Sequence, residues 1–126
     1  MQFTTAHPKI VVPVVEEFSR SEFEELLRQN PGKVVLKFGA TWCGPCKVIE
    51  PLVNQWFSKM PDTVKCATID VDESFDLYGA LKTKRQINGI PAILCFNKGN
   101  LSYIPDMNVV GADANQVNAF FKQVLQ

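Results

Sequence analysis

Residues 34–40, Val-Val-Leu-Lys-Phe-Gly-Ala, form a near-continuous apolar run. Such a run marks a strand inside a sheet covered on both faces, because a solvated face would ask for polar residues at alternate positions. The run leads into Thr41-Trp42-Cys43-Gly44-Pro45-Cys46-Lys47, and a helix-like stretch follows over residues 48–60. The two thiols therefore stand at a strand-to-helix junction. In a chain that alternates strands and helices, a Cys-x-x-Cys at such a junction carries the redox reading of that spacing.

The rest of the chain does alternate. Residues 10–15 read as a first strand, at an edge because Pro13 donates nothing to a ladder. Ser21-Glu22-Phe23-Glu24 fits a capping box, and Phe23, Leu26 and Leu27 give a helical stripe that stops at Asn30-Pro31-Gly32. The motif helix contains Pro51, which removes one helical hydrogen bond and is expected to kink it. Residues 64–71 read as a strand, 75–85 as a helix, 92–97 as a strand, and 101–110 as a further strand after the turn Lys98-Gly99-Asn100. Gly111 breaks that strand, and 114–125 form an amphipathic helix with Val117, Phe120, Phe121 and Val124 inward. The expected fold is α/β, a central mixed sheet of about five strands, parallel in the middle and antiparallel toward the end, with helices on both faces. One domain spans residues 1–126, with residues 1–9 as a flexible tail.

The spacing of the thiols is itself chemistry. Side chains at i and i+3 of a helix have Cβ atoms about 5–6 Å apart, and a disulfide needs about 3.5–4.5 Å. A small adjustment of the first turn opens or closes the bond. A helix start offers unpaired N–H groups and partial positive charge, both of which favour thiolate. Cysteines so placed ionise at about pH 3.5–7.5, against about 8.5 for an ordinary thiol. Cys43, nearer the helix start, is the expected nucleophile. Cys46, one turn in and expected to be more covered, is the resolving thiol. Gly44 and Pro45 suit a helix start. A buried pair that merely packs, or half of a zinc site, are the competing readings. Zinc asks for four ligands, and the remaining thiols, Cys66 and Cys95, stand apart with 28 residues between them, while the only histidine is His7. No metal and no organic cofactor is expected.

Lys+Arg and Asp+Glu balance at 13 each, so no field draws the chain to nucleic acid or to an anionic membrane. The opening residues lack a basic segment followed by a long apolar one, so neither a signal peptide nor a membrane span is expected. A reducing, cytoplasmic setting follows, in which a Cys-x-x-Cys is catalytic or metal-binding more often than structural. A monomer is expected.

These residues bring a family into view. Over residues 10–126 the chain resembles the thioredoxin family. Trp-Cys-Gly-Pro-Cys-Lys at 42–47 matches its active-site hexapeptide, Pro51 its helix kink, Gly89-Ile90-Pro91 its cis-proline loop, and Gly111 its glycine on the substrate-facing surface. The resemblance implies a protein-disulfide reductase acting on disulfide-containing protein substrates and recycled by a thioredoxin-reductase-like enzyme. It implies that Trp42, Gly44, Pro45, Ile90, Pro91 and Gly111 border the substrate groove, and that Pro91 is cis. An oxidising or isomerising enzyme of the same class, and a non-catalytic interaction module of the same fold, are the alternatives.

The match fails at three positions. The family's buried aspartate, six residues before the first cysteine, is Lys37, and the aromatic residue two positions later is Gly39. The lysine that usually faces that aspartate aligns with Cys66. Lys37 has competing readings: its stem packs while the ammonium reaches water, or it lies under the dithiol, where its positive charge stabilises thiolate or, if burial leaves it neutral, the amine acts as a base. Cys66 and Cys95, on apolar strands, read as packed thiols. The basic cluster Lys82, Lys84 and Arg85 reads either as a solvated helix end or as a docking patch.

Overall fold

The apolar run at 34–40 becomes the middle strand of the sheet. The protein, described by a computed structural model over residues 13–14, 17–84 and 87–126, follows the order β1 (Pro13–Val14), α1 (Arg20–Arg28), β2 (Lys33–Gly39), α2 (Gly44–Lys59), β3 (Val64–Asp70), α3 (Phe75–Thr83), β4 (Ala92–Asn97), β5 (Met107–Val110) and α4 (Ala114–Val124). The sheet order is β1-β3-β2-β4-β5. β1, β3 and β2 run parallel, while β4 is antiparallel to β2 and β5 to β4. This is the mixed α/β sheet expected, with β1 at an edge. The expected tail at 1–9, His7, the remainder of the first strand and Arg85 lie outside the described residues.

Alternation along β2 builds two cores. Val34, Leu36 and Phe38 pack with Phe23 and Leu27 of α1 and Leu77 and Leu81 of α3. Val35 faces Ile49, Val53 and Phe57 of α2 and Val117 and Phe121 of α4. Side chains of a strand point alternately to opposite faces, so Lys37 and Gly39 belong to the α2 side. Thr68 of β3 lies opposite Lys37, whereas Cys66 lies opposite Val35. On the other flank Lys37 pairs with Ile93 of β4.

Two element boundaries differ from the sequence reading, each for a physical reason. The capping box of α1 is built on Ser19 and Glu22, two residues before the one expected: Ser19 Oγ accepts the Glu22 N–H at 3.1 Å, and the Ser19 N–H donates to Glu22 Oε1 at 3.1 Å. Both Ser-x-x-Glu quartets satisfy the pattern. Only the first puts an apolar residue ahead of the cap, Phe18, that is buried in one cluster with Phe23, the pairing of a hydrophobic staple. The last strand begins at Met107, not at 101. Local polar groups capture the intervening loop. The Asn97 N–H donates to Asp106 Oδ2 at 2.7 Å, and Asn100 Nδ2 donates to the Ile104 carbonyl at 2.9 Å. Tyr103 then swings onto α1, where its hydroxyl donates to Glu24 at 2.6 Å, accepts from Arg20 Nε at 3.2 Å, and its ring meets Phe23. Such side-chain bonds offer the backbone an alternative to a ladder.

The turn from α1 into β2 is held by a buried amide. Asn30 Nδ2 donates to the Phe96 carbonyl at 2.9 Å and its Oδ1 accepts the Gly32 N–H at 2.9 Å. Asn30→Ala leaves that buried carbonyl without this donor, which costs about 1–3 kcal/mol. Urea denaturation should show a lower midpoint with an unchanged slope.

Candidate active site

Register gathers the site at one end of the sheet. Gly39 at the end of β2 pairs with Asp70 at the end of β3, Phe38 pairs with Ala92 at the start of β4, and Ala92 pairs with Val110 at the end of β5. Chain leaving β2 reaches Cys43, the N-cap of α2, in extended backbone at φ −88°, ψ 106°. Its Sγ accepts the Cys46 N–H at 3.2 Å, taking the part a serine or aspartate oxygen usually plays. Pro45 lies in the first turn of α2 and brings no N–H that would need a partner. Cys43 and Cys46 are joined in a disulfide with Cα atoms 5.3 Å apart.

Coverage does not separate the two sulfurs as expected. Cys43 is 5% exposed and Cys46 4%, because the bond holds both against the helix start. Their surroundings differ instead. A Cβ on Gly39 would lie 3.2 Å from Cys46 Sγ and 3.5 Å from Cys46 Cβ, so β2 forms the wall behind Cys46. Cys43 adjoins Trp42, which is 68% exposed. The indole N–H donates to Asp72 Oδ2 at 2.8 Å, and the Asp72 N–H in turn donates to Asp70 Oδ1 at 2.8 Å. The loop after β3 thereby carries the ring. Asp72 escaped the sequence reading; an aspartate pair immediately after a strand was the only signal.

The facing part of the site comes from the start of β4 and the end of β5. Ile90-Pro91 is a cis peptide bond. The Pro91 carbonyl accepts the Gly111 N–H at 2.8 Å, and Gly111 sits at φ +103°, a left-handed conformation that favours glycine. Of the expected groove residues, Trp42, Gly44 and Pro45 are exposed, Ile90 and Gly111 are half-buried, and Pro91 is buried. All six stand at the same end of the sheet. The groove beside β5 and α4, lined by Met107, Val109, Gln116 and Phe120 among others, is separate from the dithiol.

Lys37 is 4% exposed, so the reading in which its ammonium reaches water is set aside. Burial pulls the ammonium below its usual 10.5, and the carboxylate of Glu50 on α2 opposes this only in part. Cys66 and Cys95 are buried and in no disulfide. They flank Val35 from opposite sides, two strand spacings or about 9.6 Å apart, beyond the roughly 7 Å that a disulfide can span. Burial pushes the Cys95 thiol up to about 12, with Lys33 lowering it slightly and Asp106 adding to the rise. Of the basic cluster, Lys82 lies 5.8 Å from the Tyr78 ring centroid and Lys84 5.6 Å from that of Tyr103, so both lean on the fold. Among the described residues no three His, Cys, Asp or Glu side chains converge as metal ligands would.

A sequence model of the thioredoxin family matches residues 14–123. The chain belongs to the thioredoxin family. A thioredoxin-like protein of Synechocystis is 34% identical over 79 residues, covering 63% of this chain and 71% of that one. The chloroplastic thioredoxin Y2 of Arabidopsis thaliana is 29% identical over 97 residues, covering 77% of this chain but 56% of the relative. The chain thus spans little more than half of that relative's length. The crystal structure of Malassezia sympodialis thioredoxin superposes with a TM-score of 0.69 at 31% identity, covering 95% of this chain and 100% of that one. A vicinal cysteine pair at a helix start in this family is the chemistry of a thiol–disulfide oxidoreductase.

Two buried groups give stability opposite dependences on pH. Cys95 keeps its proton in the fold to about 12 against an ordinary 9.0. Its contribution is full below the unfolded value and is lost as pH rises through the folded one. Lys37 binds its proton less tightly folded than unfolded, so its burial penalises the fold at lower pH and the penalty fades as pH approaches 10.5. Urea titrations across alkaline pH should show Cys95→Val removing part of the fall in unfolding free energy above 9.0, and Lys37→Met removing a rise below 10.5.

Proposed function

We propose that the protein reduces disulfides in other proteins. The observation that carries this reading is a cysteine sulfur, that of Cys43, serving as the cap of α2 and aligned with its positive end. Backbone N–H groups and the helix dipole stabilise negative charge there, so the reduced Cys43 is the thiolate and the attacking group. Cys43 attacks one sulfur of a substrate disulfide, and the other substrate sulfur leaves as a thiolate. Cys46 then attacks the Cys43 sulfur of the mixed disulfide and expels the second substrate thiolate. Two electrons have passed to the substrate, and the Cys43–Cys46 disulfide remains. A thioredoxin-reductase-like enzyme returns the electrons, and no metal or organic cofactor takes part in the exchange.

Trp42, Gly44, Pro45, Ile90, Pro91 and Gly111 border the groove in this reading. An extended substrate strand bonds to main chain beside Pro91, the mode in which backbone hydrogen bonds supply affinity. Equal numbers of basic and acidic residues argue for protein partners and not nucleic acid. Among the described residues no helix is long and apolar enough to cross a membrane. We read the protein as a monomer working in a reducing compartment such as the cytoplasm.

Insulin reduction with dithiothreitol as electron donor tests the reading by the turbidity of the released chain. The protein should accelerate turbidity, and Cys43→Ser should abolish the acceleration. Cys46→Ser should accumulate a mixed disulfide visible as a mass adduct. An inert protein would instead favour the non-catalytic module, and an active Cys43→Ser variant would contradict Cys43 as the attacking thiol.

A further inference from the structure

A glycine inside a strand weakens it and marks a place where another group comes close. β2 carries one, Gly39, at its last position. Of the seven glycines in the chain, only Gly32 and Gly39 have no room for a Cβ. Gly32 adjoins the Thr63 carbonyl at the turn into β2, a contact of the scaffold. Gly39 adjoins a reacting atom. A Cβ there would stand 3.2 Å from Cys46 Sγ and 3.5 Å from Cys46 Cβ, and, its chain neighbours aside, no other atom lies within 4 Å. Among the glycines positive φ occurs only at Gly99 and Gly111, so the backbone at 39 does not call for glycine. What the position calls for is the absence of a side chain.

The two sulfurs differ in their freedom to move. When the disulfide is reduced, they pass from a bond of about 2 Å to a non-bonded contact of roughly 3.5–4 Å. One of them must give way. Cys43 Sγ accepts the Cys46 N–H at 3.2 Å, and such a bond strengthens when the sulfur carries charge. Reduction therefore holds Cys43 at the helix cap, and the displacement falls to Cys46. Its Cα and Cβ are set by α2, which buries Cys46, Ile49, Val53 and Phe57 along one face, so the sulfur turns about the Cα–Cβ bond. No atom of Cys43 lies within 4 Å of a Cβ built on Gly39, whereas Cys46 Sγ lies at 3.2 Å. The side of Cys46 turned away from Cys43 is thus the side that Gly39 leaves open.

We propose that Gly39 is a positioning residue for the redox pair: the space left by its missing side chain receives the Cys46 thiol when the disulfide opens, and so stabilises the reduced form. For its consequence in turnover this rests on the disulfide-reductase reading. In the dithiol, Cys46 withdraws against β2 and Cys43 alone faces the substrate. In the mixed disulfide, Cys46 comes forward again: Cys43–S–S–substrate and Cys46–SH become Cys43–S–S–Cys46, a substrate thiolate and a proton released to water. A methyl group at position 39 crowds the withdrawn thiol more than the bonded sulfur. It therefore disfavours the dithiol and favours closure of the Cys43–Cys46 bond.

Redox equilibrium tests this directly. Wild-type and Gly39→Ala proteins are equilibrated with dithiothreitol and its cyclic disulfide, so that protein disulfide and dithiothreitol exchange for protein dithiol and oxidised dithiothreitol. Alkylation and mass spectrometry count the dithiol. The equilibrium constant for reduction should fall about tenfold in Gly39→Ala, a methyl group forced into occupied space, which for a two-electron couple is about 30 mV. Gly39→Ser brings the same Cβ and should shift it the same way. In stopped flow with one equivalent of 5,5′-dithiobis(2-nitrobenzoate), Gly39→Ala should leave the first thionitrobenzoate release, by Cys43, little changed and quicken the second, by Cys46. An unchanged or raised constant overturns the proposal, as does a slower second release. Urea unfolding of both redox forms exposes a merely structural effect: Gly39→Ala should destabilise the reduced form more than the oxidised one, and an equal loss in both overturns the proposal. The wild type supplies a test that no substitution can spoil. Side-chain couplings measured by NMR should show the χ1 angle of Cys46 changing between the oxidised and reduced forms while that of Cys43 stays, and the converse overturns the proposal. A wild-type protein that does not accelerate insulin reduction contradicts the reductase reading instead, and the equilibrium constant still decides the role of Gly39.

Discussion

The sulfur of Cys43 occupies the place of a helix cap, and the other features of the site depend on that substitution. A helix leaves its first N–H groups without partners. In α2 the Cys46 N–H turns to Cys43 Sγ, Pro45 has none to offer, and no acidic side chain stands in the first turn to neutralise the helix end. The positive end of α2 is therefore aimed at sulfur. The same geometry fixes the distance to the second thiol, since a residue three positions on returns to the same face.

What holds the cap in place is β2. It lies between β3 and β4 and is covered on both faces, so the height at which the chain leaves the sheet is set by two ladders and two cores. Gly39 lets the last residue of that strand touch Cys46. Around this fixed point the two flanks are tied by single hydrogen bonds of 2.8 Å: Trp42 to Asp72 on one side, and Gly111 to the Pro91 carbonyl on the other. A rigid sheet end carrying loops is the common way for a fold to present reacting groups.

Much of this was legible in the residues. The strand Ala92–Asn97 and the four inward side chains of α4 match what period and apolar pattern implied, because those patterns are local. The cysteine pair was legible because the helix end that activates it is encoded beside it. What escaped depends on distant contacts. Two Ser-x-x-Glu quartets overlap at α1, and only the burial of Phe18 against the core distinguishes them. The start of β5 depends on Tyr103 finding Glu24, 79 residues away in sequence. The facing of Lys37 by Thr68 is a matter of register, which no single strand encodes. The depth of Lys37 was the hardest to read, since a lysine in an apolar run can snorkel to water or stay inside, and the cover from α2 decides.

The central claim is that the sulfur capping α2 is the ionised and reactive one. Fully reduced protein exposed to limiting iodoacetamide over a series of pH values, with each cysteine peptide quantified by mass spectrometry, measures this most directly. The account predicts that Cys43 is alkylated first, with half of its maximal rate reached below the value of about 8.5 for an ordinary thiol. Alkylation of Cys46, Cys66 or Cys95 ahead of Cys43, or a half-point for Cys43 at or above that value, would contradict it.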